Sequence, residues 1–403
     1  MTSFGEHFSH GIKDLMPMAL GEAVASVDKG FDRRDIGAAW LGEVGTTDGH
    51  GAGILADSCG LLDVPVTRVE NACATGQDII RQAIYAIASG YMDVAVALGA
   101  DKVRDTSSSA TFWDWMAQTR DMAWDFPLGL VAPANFALHV QRYLHEAPAT
   151  REHLAMIAVK NHAHGVNNPK AQLRSEITVE QVLKAPMVAE PFGIFDCTPQ
   201  SDGAAAVILV AEDVVDKYTD KPAWVHGFGL GIDRVMHQHK PDMTTFPCTV
   251  KAARQAYAMA GLRPEDIDFA EVHDCFTGVE LISYEDLGFA PRFEGHKFVE
   301  ARDHYVGGRK PINPSGGLKS KGHPPGATGV SAAPPPPRAS PSSARSGRDR
   351  APCRPPRRPG HSRLPGRPGR RLRHAGLGRA RPLRRRPPGG RRPPAARLVP
   401  ETA

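Results

Sequence analysis

Apolar positions along the first 333 residues fall into alternating strand-like and helix-like runs, a pattern that predicts a layered α/β protein. Residues 64–70 form a short β-branched segment that includes Pro65 and predict a strand. Residues 75–89 follow as a helix, with Ile79, Ile80, Ala83, Ile84, Ile87 and Ala88 at mixed three- and four-residue spacing. Apolar side chains on several of its faces predict burial rather than a surface position. DVAVAL at 93–98 is then a buried central strand that stops at Gly99. Together these make one βαβ unit, for which a right-handed connection is expected.

Residues 105–191 differ in character. They carry Trp113, Trp115 and Trp124, many polar positions and helical stretches at 135–146 and 151–164. This segment reads as a lid-like insertion packed over the core sheet, with its tryptophans as packing residues. AAAVILV at 204–210 returns to the core as a buried strand. A second unit begins near Pro222, with strands at 224–231 and 267–271 and helices at 250–260 and 280–287. Gly261 and Pro264 give the first of those helices an ordinary stop signal. The similar rhythm of the two halves hints at duplication. No GxGxxG joins a strand to a helix, so neither half reads as a dinucleotide site.

Charge divides the chain. The 403 residues carry a net charge of +5, yet the seventy from Pro334 onward hold 20 Arg, one Asp, one Glu and no Lys, a charge of +18 that leaves −13 on residues 1–333. The same stretch takes 17 of the 35 prolines and contains no Phe, Tyr, Trp, Ile or Met, so it is expected to be disordered. Gly322–Ala333 opens a small-residue helix that runs into four prolines, which cannot continue it. Residues from about 334 therefore read as a shifted frame of a GC-rich gene rather than as a nucleic-acid-binding arm. The acidic body argues against a nucleic-acid partner. No apolar run reaches the length of a membrane span, and MTSFGEHFSH is not a secretory signal. Six dispersed cysteines fit a reducing cytoplasm rather than a disulfide scaffold.

The candidate chemistry lies in three segments. NACATG at 71–76 places Cys73 where the strand 64–70 gives way to a helix. A thiolate there faces unpaired N–H groups and the positive end of the helix dipole. VHDCFT at 272–277 sets His273 at a carboxyl end of the sheet, and NPSGGLKSKGHPPGATG at 313–329 sets His323 in a turn before a helix. Ligands of open α/β sheets bind beyond the carboxyl strand ends, where the three residues can converge. A cysteine beside a histidine base is a recipe for covalent acyl transfer, and a second histidine can donate to the developing oxyanion. A buried structural cysteine and solvent-facing or capping histidines are the alternative. Cys275 reads as a neighbour of the site rather than a second catalytic group.

These three motifs, with KNHAHGVNNPKAQ at 160–172 and CTPQSDGAAAVILVAED at 197–213, resemble the thiolase superfamily and within it the sterol-carrier-protein-X type. The resemblance implies two similar βαβαβαββ halves in α/β/α/β/α layers with an inserted loop domain. An N-terminal domain would span 1–221, with the insertion at about 105–191, and a truncated C-terminal domain 222–333, before the tail at 334–403. It implies Cys73 as the acylated nucleophile, His323 as the histidine that polarises it and His273 as an oxyanion-hole residue. The implied reaction is cleavage of a 3-ketoacyl-CoA by CoA, or the reverse condensation, as in fatty-acid β-oxidation. Coenzyme A would be a substrate, with no metal and no permanently bound cofactor. Gly316 and Gly317 would let the chain approach CoA closely, although an ordinary turn also explains them. A cytoplasmic homodimer or dimer of dimers is implied.

Departures from the family also set expectations. The helix after GHPPGATG gives way to the tail, and the valine-rich strand that precedes MTSFGEH in the family is missing. The chain is therefore expected to lack strands in both halves, with translation beginning upstream, and to be poorly soluble or inactive as written. A retro-aldolase acting on steroid side-chain CoA thioesters with a small OB-fold partner is the neighbouring alternative, and a non-catalytic lipid-binding protein the remaining one.

Overall fold

The computed structural model describes residues 1–44, 49–104, 121 and 123–333. Predictions concerning Trp113, Trp115 and the tail from Pro334 lie outside the described residues.

The sheet at the centre of the first half has the order β2-β1-β3-β6. Strands β1 (Ala38–Gly42), β2 (Val66–Val69) and β3 (Val94–Asp101) run parallel, and β6 (Gly203–Val210) is antiparallel to β3 over its whole length. Helix α3 (Thr75–Ala88) connects β2 to β3, but β1 lies between those two strands, so the βαβ unit spans a neighbour rather than joining adjacent strands. Alternation along β3 assigns its two faces. Val96, Leu98 and Ala100 pack on α1 (Ile12–Ala25) and α2 (Gly51–Cys59), while Ala97 packs on Ile79 of α3 and on Ala327 and Val330 of α11 (Pro325–Ser331). Helix α3 buries one stripe, Thr75, Gly76, Asp78, Ile79 and Ala83, rather than several faces; Tyr85 faces outward against Phe228. At the start of the chain, Thr2 N–H donates to Ala204 O, which lays residues 1–5 beside β6.

The described residues between 123 and 191 do not form a lid on this sheet. Helices α4 (Ala132–Glu146) and α5 (Arg151–Val166) supply Val140, Tyr143, Leu154 and Ile157 to a second core, shared with α8 (Thr277–Asp286), α9 (Gly295–Glu300) and Leu318 of α10 (Gly317–Lys321). Their helical character was legible, but not what they pack against. Helix α6 (Val179–Lys184) adds Val182 to a small satellite cluster against α5, and β4 (Met187–Ala189) pairs with β5 (Phe192–Gly193). Trp124 is exposed rather than a core residue.

Helix α7 (Pro247–Ala260) forms as expected, but residues 224–231 form no strand, and 267–271 is reduced to a single parallel bridge between Ala270 and Ile312. Strand character is a property of pairing, and no neighbouring strand among the described residues lies beside 224–231 to complete its hydrogen bonds. Trp224, Val225, Ile232 and Phe269 are accordingly exposed.

Candidate active site

The turn between β2 and α3 is built around Thr75. Its buried hydroxyl donates to Ala72 O at 2.6 Å and accepts from Asn71 N–H at 2.7 Å, while Ala72 N–H donates to Glu70 Oε1 at 2.6 Å. Within this knot Ala72 takes φ +44°, a left-handed conformation that costs a non-glycine residue about 1–2 kcal/mol. The turn thereby fixes Cys73, half-buried, two residues before the helix begins.

His323 approaches from the last described turn. Its backbone N–H donates to Ser201 Oγ at 3.0 Å. Its Nδ1 lies 2.7 Å from Thr328 Oγ1, and that hydroxyl lies 2.8 Å from Pro324 O. The hydroxyl serves both partners only if it donates to Pro324 and accepts from Nδ1–H. This leaves the lone pair of His323 on Nε2. The turn is pressed against the first half at short range: a Cβ at Gly99 would sit 2.0 Å from Gly326 O, and one at Gly76 would sit 2.7 Å from Gly329 N.

His273 is clamped from both sides. Before it, Val272 N–H donates to Oδ1 of Asn313 at 2.8 Å. After it, the Asp274 carboxylate accepts from Leu318 N–H at 2.7 Å, Lys319 N–H at 3.1 Å and Asn161 Nδ2 at 2.9 Å. Asn161 also donates to Glu280 Oε2 at 2.6 Å, Asn313 donates to the same oxygen at 3.0 Å, and Lys160 pairs with Glu280 while donating to Ile312 O at 2.9 Å. Burial and the nearby Glu280 push the Asp274 carboxyl up.

The three residues meet. One ligating atom from each of Cys73, His273 and His323 lies within 4.8 Å of the others, and the two imidazoles are edge to face with centroids 5.4 Å apart. Desolvation holds His273 down to about 4, and desolvation together with His273 and Lys321 holds His323 well below the usual histidine range. Both rings are neutral near pH 7, so each carries one N–H donor and one lone pair. A thiol beside two such rings can lose its proton to one of them while another N–H meets an oxyanion.

Gly316 and Gly317 stand differently. Both are buried at positive φ, +99° and +61°. Side chains there would meet Gly165 Cα at 2.8 Å and the Asp274 carboxylate at 2.1 Å. Chain packing accounts for glycine at both positions without a ligand. Cys275 is buried next to the clamp. The sequence reading missed Thr75, Thr328 and the Lys160–Asn161–Glu280 group. Thr75 and Thr328 lie inside the quoted motifs, whereas charged residues in a helix ordinarily read as a solvated face.

Fold and site define a two-domain α/β enzyme with a thiol and paired imidazoles at the sheet's carboxyl end. Residues 1–213 match the family described as thiolase, N-terminal domain, and residues 229–333 the one described as thiolase C-terminal domain-like. The chain belongs to the thiolase superfamily. It is 40% identical over 337 residues to an acetyl-CoA acetyltransferase of Methanothermobacter thermautotrophicus, covering 82% of this chain and 86% of that protein. Human sterol carrier protein 2 is 35% identical over 345 residues, 82% of this chain and 62% of that protein. Among solved structures, the Ltp2-ChsH2(DUF35) aldolase superposes with a TM-score of 0.71 at 27% identity, covering 82% of this chain and 86% of that one. Human mitochondrial 3-ketoacyl-CoA thiolase superposes with a TM-score of 0.60 at 19% identity over 82% of this chain and 87% of that one, a likeness of fold alone. No helix among the described residues is long and apolar enough to cross a membrane.

Proposed function

We propose that this enzyme is an acyltransferase of thiolase type, moving an acyl group between a 3-ketoacyl-CoA and CoA through a thioester on Cys73. The observation that carries the reading is the approach of that thiol and two neutral imidazoles to within 4.8 Å. His323 takes the thiol proton on Nε2, and the sulfur bonds to the 3-keto carbon. The oxygen of that carbon gathers negative charge and accepts from His273, whose neutral ring offers one N–H. The bond between C2 and C3 then breaks, and its electron pair leaves on the acetyl-CoA enolate, which takes the proton from the His323 imidazolium. Free CoA gives its thiol proton to the same ring, attacks the acyl carbonyl and departs as acyl-CoA, with the Cys73 sulfur reprotonated.

Acyl-CoA and CoA are the partners this reading requires, in a cytoplasmic homodimer or dimer of dimers with domains at 1–221 and 222–333. The test is incubation of the full chain with acetoacetyl-CoA and with a steroid-like 3-ketoacyl-CoA, followed by mass spectrometry of the Cys73 peptide. An acyl adduct that CoA removes is expected. A folded protein whose Cys73 stays bare overturns the reading.

The likeness to the aldolase favours a second reading, carbon–carbon cleavage of a steroid side-chain CoA thioester with an OB-fold partner. It would release a ketone or aldehyde and leave the thiol unmodified.

A further inference from the structure

We propose that Cys73, His273 and His323 also form a zinc site, and that a zinc ion bound there blocks the enzyme reversibly; this regulation rests on the acyl-transfer reading of the same residues. One sulfur and two imidazole nitrogens are a ligand set that zinc favours, and three protein ligands leave a fourth position for water. Tetrahedral zinc, with bonds of about 2.0–2.3 Å, needs its ligand atoms roughly 3.3–3.7 Å apart. The three donor atoms are already within 4.8 Å of one another, so no pair has to close by more than about 1–1.5 Å to reach that spacing. All three side chains are half-buried rather than sealed from solvent.

Thr328 supplies the outer support that metal-bound imidazoles ordinarily have. It engages His323 Nδ1 at 2.7 Å, so Nε2 is the nitrogen turned to the metal. Binding exchanges the Cys73 proton for a sulfur–zinc bond and releases that proton to solvent. It occupies the sulfur electron pair that acyl transfer needs and the lone pair that would take the proton. No oxidation or reduction is involved.

The experiment reads binding directly on the full chain. Iodoacetamide labelling of Cys73, followed peptide by peptide, is expected to slow at least tenfold in micromolar Zn²⁺ and to recover with a chelator. Co²⁺, used as a spectroscopic stand-in, is expected to give thiolate charge-transfer absorption that disappears in Cys73→Ser. Unchanged labelling of Cys73 in zinc, or cobalt–thiolate absorption that survives Cys73→Ser, overturns the proposal. The labelling arm needs no variant, so misfolding of Cys73→Ser leaves the test intact. Acylation of Cys73 by substrate in the presence of chelator reads the acyl-transfer proposal separately, so either can fail alone.

Discussion

The ring of His323 is oriented by Thr328: Nδ1 and the hydroxyl oxygen are 2.7 Å apart, and the hydroxyl passes its own hydrogen to Pro324 O. The proton of the neutral imidazole is thereby kept on Nδ1, and the lone pair on Nε2. Thr328→Val removes the acceptor at nearly constant volume. Losing one hydrogen bond of about 1 kcal/mol corresponds to roughly a fivefold to tenfold fall in kcat. KM is expected to hold and Thr328→Ser to restore the rate. Steady-state kinetics of the two variants check this, and an unchanged kcat in Thr328→Val rules out the orienting role.

Lys160 and Glu280 are both fully buried and form an ion pair beneath the segment that carries His273. Breaking a buried pair by removing one partner typically costs about 3–5 kcal/mol, because the remaining charge is stranded. Lys160→Met is expected to lower thermal stability by that order. Lys160→Met combined with Glu280→Gln should recover much of the loss, since the amide oxygen can still accept from Asn161 and Asn313 while its NH2 donates to the Tyr284 hydroxyl oxygen. Denaturant midpoints for the single and double variants measure the difference; a double variant no more stable than the single one contradicts the account.

Helix α11 meets the end of β3 backbone to backbone at Gly99. At Gly99 a Cβ would fall 2.0 Å from Gly326 O and 2.8 Å from Ala327 Cα, and neither atom belongs to a flexible side chain. Gly99→Ala is therefore expected to cost at least 1–3 kcal/mol, roughly the range for overpacked cores. It should also push His323 away from Cys73, so that acylation falls more than stability alone explains. Normal melting together with normal acylation would show that α11 can move freely.

Acid stability has two opposing contributions. Desolvation holds His139 and His162 down to about 4, the latter also through Lys319. The unfolded chain binds their protons below about pH 6.5 while the folded chain does not, so folding weakens as pH falls toward 4. Asp286 acts in the other direction: burial raises its carboxyl to about 6, so on acidification the folded state takes a proton first and gains stability. Asp286→Asn removes this gain. Between pH 6.5 and 4.5 its Tm should fall more steeply than that of the parent, and parallel curves would refute the assignment.

Some of this architecture was legible in residue patterns. The run 64–70, the helix after it and the strand 93–98 were visible because their apolar signal is local: Val64, Val66 and Val69 are partly buried, α3 buries one stripe, and 94–98 is buried throughout. Their order in the sheet was not, since β1, in the short segment AAWLG, gives too brief an apolar signal to be placed between β2 and β3. Helices α4 and α5 were expected as helices, but helical character does not name a partner, and they belong to the second core. The segment 224–231 has the composition of a strand and no ladder. At the site, Cys73, His273 and His323 stood out by residue type in their motifs, whereas Lys160, Asn161 and Glu280 matter through burial, which periodicity cannot assign to charged residues.

Gln77 of α3 holds Gly329 of α11 at 2.9 Å across 252 positions of chain. At translation rates of about 5–20 residues per second, that separation means tens of seconds between the emergence of one partner and of the other. For that interval the sulfur of residue 73 travels without the rings that would quicken it. On the acyl-transfer reading, a nascent chain thus carries Cys73 without its base until the glycine-rich turn arrives.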